Sequence, residues 1–177
     1  MWLKEFNVDG FRFDMTNYIP DDVLRELTNH VYATKPGAIT IAEDGRPSNH
    51  VTLPAKDGGL GFWAKWNFDF HHHAKSSASG RPHMNAPTDP ASLSWLFEKG
   101  FGGYLPQMNS LYDGVNYFES HDEVGNHDGQ RSNVKLTREK LVVASVLKFL
   151  VPGIPMTWQG EEKDKKNPFY FFVDYSD

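Results

Sequence analysis

The sequence of 177 residues contains no cysteine. A disulfide framework, a metal site built on thiolates and a cysteine nucleophile are therefore excluded. Because a secreted protein can also lack cysteine, this absence leaves the cellular compartment open. Any catalytic site must be built from other side chains.

The sequence also lacks an excess of positive charge and any long apolar run. It has 18 lysine and arginine residues and 23 aspartate and glutamate residues, and the resulting net charge of −5 argues against a nucleic-acid partner. No segment reaches the ~18 consecutive apolar residues of a membrane-spanning helix. The first residues include an early acid and no apolar run of ~7 to 15 residues, so they do not resemble a signal peptide. We expect no nucleic-acid partner, no membrane association and a cytoplasmic location.

Aromatic side chains are present in surplus, at 14% of the residues. Such a surplus often lines a site that stacks on flat, weakly polar ligands. The hydrophobic fraction of 39% is enough to fill a core, and neither a repeat nor a flexible linker divides the chain. At ~150 residues per domain, one domain or part of one is the simplest interpretation.

Strands and helices alternate along the sequence. A strand over 6–13 precedes a helix that opens after Pro20 and closes at Pro36, with apolar residues at helical spacing between them. The apolar run 38–42 is typical of a strand buried on both faces. The remaining predictions are a loop over 44–61, a strand within 61–70, a surface excursion over 76–91, a short helix over 92–99, a strand over 115–120, a helix over 137–150 capped by Thr137, and a strand over 154–158. This order predicts an α/β fold with a parallel sheet.

Three acidic residues stand at the ends of predicted strands, namely Asp14, Glu43 and Asp122. Catalytic groups collect at the C-terminal ends of parallel strands. Asp14 and Glu43 are about one strand-helix-strand unit apart and could face one another from neighbouring strands. Two facing carboxyls suit glycosidic cleavage, in which one attacks the anomeric carbon and the other protonates the leaving oxygen. A lone acid at a strand end is more often a helix cap or a loop residue.

Arg12 precedes Asp14 by two positions and therefore shares its face of the predicted strand. Its guanidinium could keep that carboxylate charged and oriented. Trp63 and Trp66 could act as platforms that stack on a sugar ring, together with Tyr104 and Tyr112, although most aromatic residues of such a domain belong to its core.

Four segments resemble, in chain order, conserved regions of glycoside hydrolase family 13, the α-amylase family. Residues 8–14, VDGFRFD, are similar to its second region, 41–44, IAED, to its third, and 118–122, FESHD, to its fourth. Residues 152–162, PGIPMTWQGEE, resemble the segment around its last barrel strand. The resemblance spans nearly the whole chain. It implies an α/β fold that is a partial (β/α)8 TIM barrel, in which 1–177 supply strands four to eight of a single catalytic barrel.

The same resemblance implies a retaining mechanism on an α-1,4-glucan or a maltooligosaccharide, without a cofactor. Asp14 would be the nucleophile, and Glu43 the general acid and then the base. Asp122 would stabilise the transition state and hold sugar hydroxyls, and His121 would hydrogen-bond the same sugar. Arg12 would support Asp14.

Two groups within the family fit the remaining motifs. Residues 59–66 and 69–72, with 168–172, are similar to maltooligosyltrehalose trehalohydrolases. Residues 119–126 and 154–161 resemble 1,4-α-glucan branching enzymes, which transfer a glucan to form α-1,6 branches. Both alternatives stay open at this point.

A whole family 13 barrel would also contain three earlier strands, a first conserved region, a last helix and a C-terminal β domain, and none has a counterpart here. We therefore expect a fragment that is inactive alone and requires the missing barrel half. Its open strand edges would expose unpaired backbone and favour aggregation. An alternative of another class is an inactive remnant that binds a glucan or a partner.

The run His71-His72-His73 predicts no metal site. Adjacent histidines on a strand point in different directions and rarely bind one ion together, and no acid stands at a matching spacing.

Overall fold

A computed structural model describes residues 1–79, 109–125, 131 and 136–169. Among these residues, strands β1 to β5 comprise Gly10–Phe13, Ile39–Ala42, Ala64–Trp66, Gly114–Tyr117 and Ile154–Met156. Helices α1 to α4 comprise Asp21–Thr34, Phe68–Ser79, His121–Val124 and Arg138–Leu150. The predicted helix over 92–99 and Tyr104 lie outside the described residues.

The five strands form one sheet in the order β1-β2-β3-β4-β5. From β1 to β4, adjacent strands pair in parallel, and Phe13 lies beside Ala42 at the end of the first pair. Parallel neighbours need a crossover connection, which α1 supplies between β1 and β2. The prediction of an α/β fold with a parallel sheet is confirmed.

Helix α1 begins and ends where the two prolines predict. Pro20 occupies its N-cap, Asp21 and Asp22 lie in the first turn near the positive end of the helix dipole, and Lys35 is its C-cap. Gly37 then adopts a left-handed φ of 89°, which turns the chain toward β2. The helix buries a face formed by Leu24, Thr28 and Val31.

The described residues fall into two compact units. The first contains 1–67, 109–115 and 152–154, and the second contains 68–79, 116–125, 131, 136–151 and 155–169. The first unit has a buried apolar cluster of Leu24, Ala42, Val51, Leu60 and Phe62. In the second unit α2 packs against α4.

The glycine at the start of β1 permits the close approach of the first two strands. A Cβ placed on Gly10 would lie only 2.0 Å from the carbonyl oxygen of Ile39. Any larger residue would force β1 away from β2, and with it the residues that follow both strands.

The aromatic segment 61–70 is strand only over Ala64–Trp66, and the chain already enters α2 at Phe68. The placement of the three histidines on a strand is therefore wrong. The expected surface excursion also starts too early, because residues 76–79 continue the helix. Residues 68–79 are rich in histidine, alanine and serine and contain no valine, isoleucine or threonine, so no β-branched residue opposes the helix.

Three strands are shorter than the sequence predicts. Asn7 has a left-handed φ of 52°, and β1 starts only at Gly10. β4 ends at Tyr117, and β5 ends at Met156. Thr137 is the N-cap of α4 as expected, but its side chain makes no capping hydrogen bond. No helix in the described part of the chain is long and apolar enough to cross a membrane.

Candidate active site

Two of the predicted catalytic acids follow neighbouring strands. Asp14 comes directly after β1 and Glu43 directly after β2. The Glu43 amide donates to the Phe13 carbonyl oxygen at 2.9 Å, so the parallel pairing continues to this point. The expectation that both acids stand at adjacent strand ends is confirmed. Their side chains differ in access, since that of Asp14 is 71% exposed and that of Glu43 only 10%.

Arg12 connects these two carboxylates. One terminal nitrogen donates to Asp14 Oδ1, and the other lies 2.8 Å from Glu43 Oε2. The guanidinium also lies over the Trp66 ring, 4.5 Å from its centroid. A planar, always charged group fits this position, because it can face two carboxylates and an aromatic ring at once.

The turn after β1 also holds Glu43. The Met15 amide donates to Glu43 Oε2 at 2.9 Å, and Thr16 donates through both its amide and its hydroxyl to the Glu43 carbonyl oxygen. Met15 adopts a left-handed φ of 46°, which is unfavourable for a residue with a side chain. This strained turn aims a backbone donor at the carboxylate of the neighbouring strand.

Behind Glu43 lies an ion network that sequence reasoning missed. The Arg46 guanidinium binds both oxygens of the buried Asp44 carboxylate and, at 2.7 Å, Asp21 Oδ1. Burial alone would raise the pKa of Asp44, but hydrogen bonds from Arg46 and Thr16 outweigh it and lower that pKa. The buried Lys65 donates to the Arg46 carbonyl oxygen at 2.7 Å. The network holds the segment that directly follows Glu43 in place.

The two predicted sugar platforms occupy different environments. Trp63 is 49% exposed, whereas Trp66 is 5% exposed and lies against Arg12. Tyr112 is exposed at 68%. Within the first unit, Trp63 and Tyr112 therefore offer ring surface to a ligand, and Trp66 offers it to the arginine.

The third acid, Asp122, and His121 belong to the second unit. Both lie in α3, a single helical turn whose N-cap is Ser120. The Asp122 carboxylate is 55% exposed and lies 3.3 Å from His121 Nε2. The His121 ring is 6.2 Å from the Trp158 ring. Two polar groups and an aromatic ring therefore meet at this turn.

Two buried ion pairs lie in the same unit, and the sequence analysis assigned neither. Arg131 pairs with Glu119 at 3.3 Å, and Lys148 Nζ pairs with Glu161 Oε1 at 2.6 Å. Burial raises the pKa of Glu161, and Lys148 opposes that effect. A lysine within the strongly apolar helix 137–150 was the available signal, because a buried ammonium requires a partner. Within the described ranges, no group of three or more histidine or acidic residues could hold a metal ion.

Comparisons with known proteins support the sequence resemblance, although no family model matches the chain. It is 30% identical to a malto-oligosyltrehalose trehalohydrolase of Saccharolobus solfataricus, over 99% of this chain and 35% of the relative. It is 31% identical to a 1,4-alpha-glucan branching enzyme of Rhizobium radiobacter, over 46% of this chain and 14% of the relative. The chain thus spans about a third of the first relative's length.

A solved structure agrees at the level of the fold. An alpha-amylase of Anoxybacillus superposes on 94% of this chain and 35% of its own, with a TM-score of 0.68 and 20% identity. The prediction of an α/β chain that forms part of a (β/α)8 barrel is confirmed. Over nearly its whole length, the chain is similar to part of the proteins of glycoside hydrolase family 13, the α-amylase family.

Proposed function

We propose that the chain carries part of the active site of a retaining glycosidase that cleaves α-glucosidic bonds in maltooligosaccharides, and that residues 1–177 belong to a single catalytic barrel. The observation that carries the proposal is the pairing of Asp14 and Glu43 at adjacent strand ends, with Arg12 in contact with both. The similarity to malto-oligosyltrehalose trehalohydrolases over 99% of the chain favours hydrolysis with release of trehalose.

The difference in exposure supports a division of roles between the two carboxyl groups. The exposed Asp14 carboxylate attacks the anomeric carbon, and the bond between the sugar and the leaving oxygen breaks as a glycosyl ester forms. The shielded Glu43 carboxyl gives its proton to that oxygen. It then takes a proton from water as the water oxygen attacks the same carbon and releases Asp14.

Other predicted site residues support these steps. Arg12 holds Asp14 in place for attack, and Trp66 holds Arg12 through its ring face. The exposed Trp63 ring stacks on a sugar. Asp122 accepts hydrogen bonds from sugar hydroxyls and stabilises the positive charge of the transition state, while His121 binds the same sugar.

A 1,4-α-glucan branching enzyme is the second candidate, favoured by 31% identity over 105 residues. The same glycosyl ester would form, but a glucan hydroxyl would replace water as the acceptor. The two functions differ in their products, which are free trehalose in one case and new α-1,6 branches in the other.

The first prediction concerns the covalent step. We expect the isolated chain to release little trehalose, because it spans only 35% of the length of the matched trehalohydrolase. An activated α-maltosyl fluoride should nevertheless label Asp14 slowly, because fluoride leaves without an acid and needs less of the site. Intact-mass and peptide spectra would detect one added maltosyl group, and Asp14→Asn should abolish it.

Variants and products separate the alternatives. Glu43→Gln should retain labelling by the fluoride and lose any turnover of maltooligosyltrehalose. Labelling that survives in Asp14→Asn, or that occurs on another residue, contradicts the assignment of the nucleophile. Binding of maltoheptaose without any labelling would instead favour an inactive glucan-binding remnant.

A further inference from the structure

The first histidine of the run 71–73 is turned into the second unit. The His71 side chain is 2% exposed, and its ring stacks on the Tyr117 ring at 4.3 Å. Its Nε2 lies 2.9 Å from Glu123 Oε1. An ionised carboxylate can only accept hydrogen bonds, so Nε2 carries the proton and donates.

The other oxygen of Glu123 holds the start of α3. Glu123 Oε2 accepts from the Ser120 amide at 2.9 Å and from its hydroxyl at 2.8 Å. The Ser120 hydroxyl oxygen in turn accepts from the Asp122 amide at 3.2 Å. One carboxylate therefore connects a histidine of α2 to the capping residue of the turn that carries His121 and Asp122.

Charge strengthens this connection. Burial alone would raise the pKa of Glu123, but the hydrogen bonds from His71 and Ser120 and the charge of Lys75 lower it. Burial lowers the pKa of His71, so at neutral pH its ring is a neutral donor. Lys75 Nζ lies 4.0 Å from Glu123 Oε1. Glu123 is therefore ionised at neutral pH and accepts from all of its donors.

Helix α3 depends on such contacts because it has only four residues. A single turn is not stable by itself, since nucleation of a helix is unfavourable. Its direction, and hence the direction in which it presents His121 and Asp122, must come from contacts outside the turn. The capping box is internal to the turn region, whereas the His71 bond reaches it from another helix.

We propose that His71 is a positioning residue, whose hydrogen bond to Glu123 fixes the orientation of His121 and Asp122. The inference rests on the proposed function for the role of those two side chains as sugar contacts. It gives His71 a role that requires no metal.

The test compares His71→Gln and Glu123→Gln with His73→Gln, which makes the same change two residues along α2. In the isotope-labelled 177-residue chain, we expect the His71 ring of the parent to carry its proton on Nε2. His71→Gln should shift the ring resonances of His121 and weaken maltoheptaose binding about fivefold to tenfold, since small displacements of a binding group are costly. His73→Gln should leave the His121 resonances and the binding unchanged.

Glu123→Gln provides the second arm. Its single amide oxygen can still accept from Ser120, whereas the NH2 group that replaces Oε1 is a donor and cannot accept from His71. It should both move the His71 proton to Nδ1 and disturb the His121 resonances, and it decides the question if His71→Gln does not fold. If the His71→Gln chain folds and its His121 resonances equal those of the parent, the proposal is overturned. If only Glu123→Gln folds, unchanged His121 resonances in that variant overturn it. The resonance measurement is independent of sugar binding, so a parent that binds no maltoheptaose contradicts the proposed function alone.

Discussion

Arg12 joins the two carboxylates of the first unit. It contacts Asp14 and Glu43 and lies over the Trp66 ring. Its relation to Asp14 could be predicted from a spacing of two on a strand. Its contact with Glu43 could not, because that contact depends on the register between β1 and β2.

Replacement of Arg12 by lysine provides a prediction for this residue. A lysine ammonium is a compact point charge and cannot reach two carboxylates with separate nitrogens while a flat face lies over an aromatic ring. We expect Arg12→Lys to slow labelling of Asp14 by α-maltosyl fluoride by about tenfold or more through loss of orientation. The labelling rate from timed mass spectra is the measurement. Arg25→Lys is the control, since Arg25 donates to the Gly59 carbonyl oxygen and should leave the rate unchanged; an equal rate in Arg12→Lys would contradict the role.

Trp66 shows the limit of reasoning from residue type. Trp63 and Trp66 are equivalent candidates in the sequence, and both belong to an aromatic segment. The structure separates them, because Trp66 is the last residue of β3 and is buried, whereas Trp63 precedes the strand and is half exposed. Because Trp66 is buried, it is better placed to support Arg12 than to contact a sugar.

At the scale of elements, the predictions that succeeded were those with a local sequence signal, either a proline at the boundary of the element or a short apolar run. Helix α1 lies between Pro20 and Pro36, and β2 is a short apolar run, so both follow from local signals. The start of α2 at Phe68 carries no such signal, because an aromatic run fits a strand or a helix equally well. The partners of His71 and Asp44 depend on packing between distant segments, which periodicity does not encode.

The segment after β2 is held by its ion network. Asp44 is fully buried and binds Arg46 and Thr16. Asp44→Asn removes a buried charge and leaves part of Arg46 without its partner, so we expect the free energy of unfolding to fall by about 2 to 3 kcal/mol. Asp21→Asn, at a carboxylate that is 42% exposed, should cost less than about 1 kcal/mol. Urea denaturation at neutral pH measures both, and equal losses would contradict the network.

The pH dependence of that difference has a defined sign. The pKa of Asp44 is lower in the folded chain than its usual value of 3.8. The stability that its charge contributes is therefore present above pH 3.8 and is lost as the pH falls through the lower folded value. The gap in stability between the parent and Asp44→Asn should narrow on acidification below that point, and a gap that stays constant would contradict it.

For the whole molecule, the order of motifs was more informative than the composition. The expectation of five consecutive strands within a larger barrel agrees with the sheet order and with similarity to about a third of a relative. Length alone indicated one domain or part of one. The cytoplasmic location remains a prediction.

Association of the chain provides the last prediction. β1 lies at one end of the sheet order, beside a groove of about 550 Å³ whose lining includes Trp2, Phe11 and Leu27. Trp2 is 56% exposed and contacts Phe6. Among the described residues β1 pairs only with β2, and a strand edge beside exposed apolar surface favours pairing with another chain. We expect reversible self-association at about 10 to 100 μM in sedimentation velocity, weakened about tenfold by Trp2→Glu through the charge it places on the apolar surface.

Tyr18→Glu introduces the same charge at a residue that is 75% exposed and does not line the groove. Its association should match that of the parent, and an equal effect of both variants would show that net charge, rather than this edge, governs association.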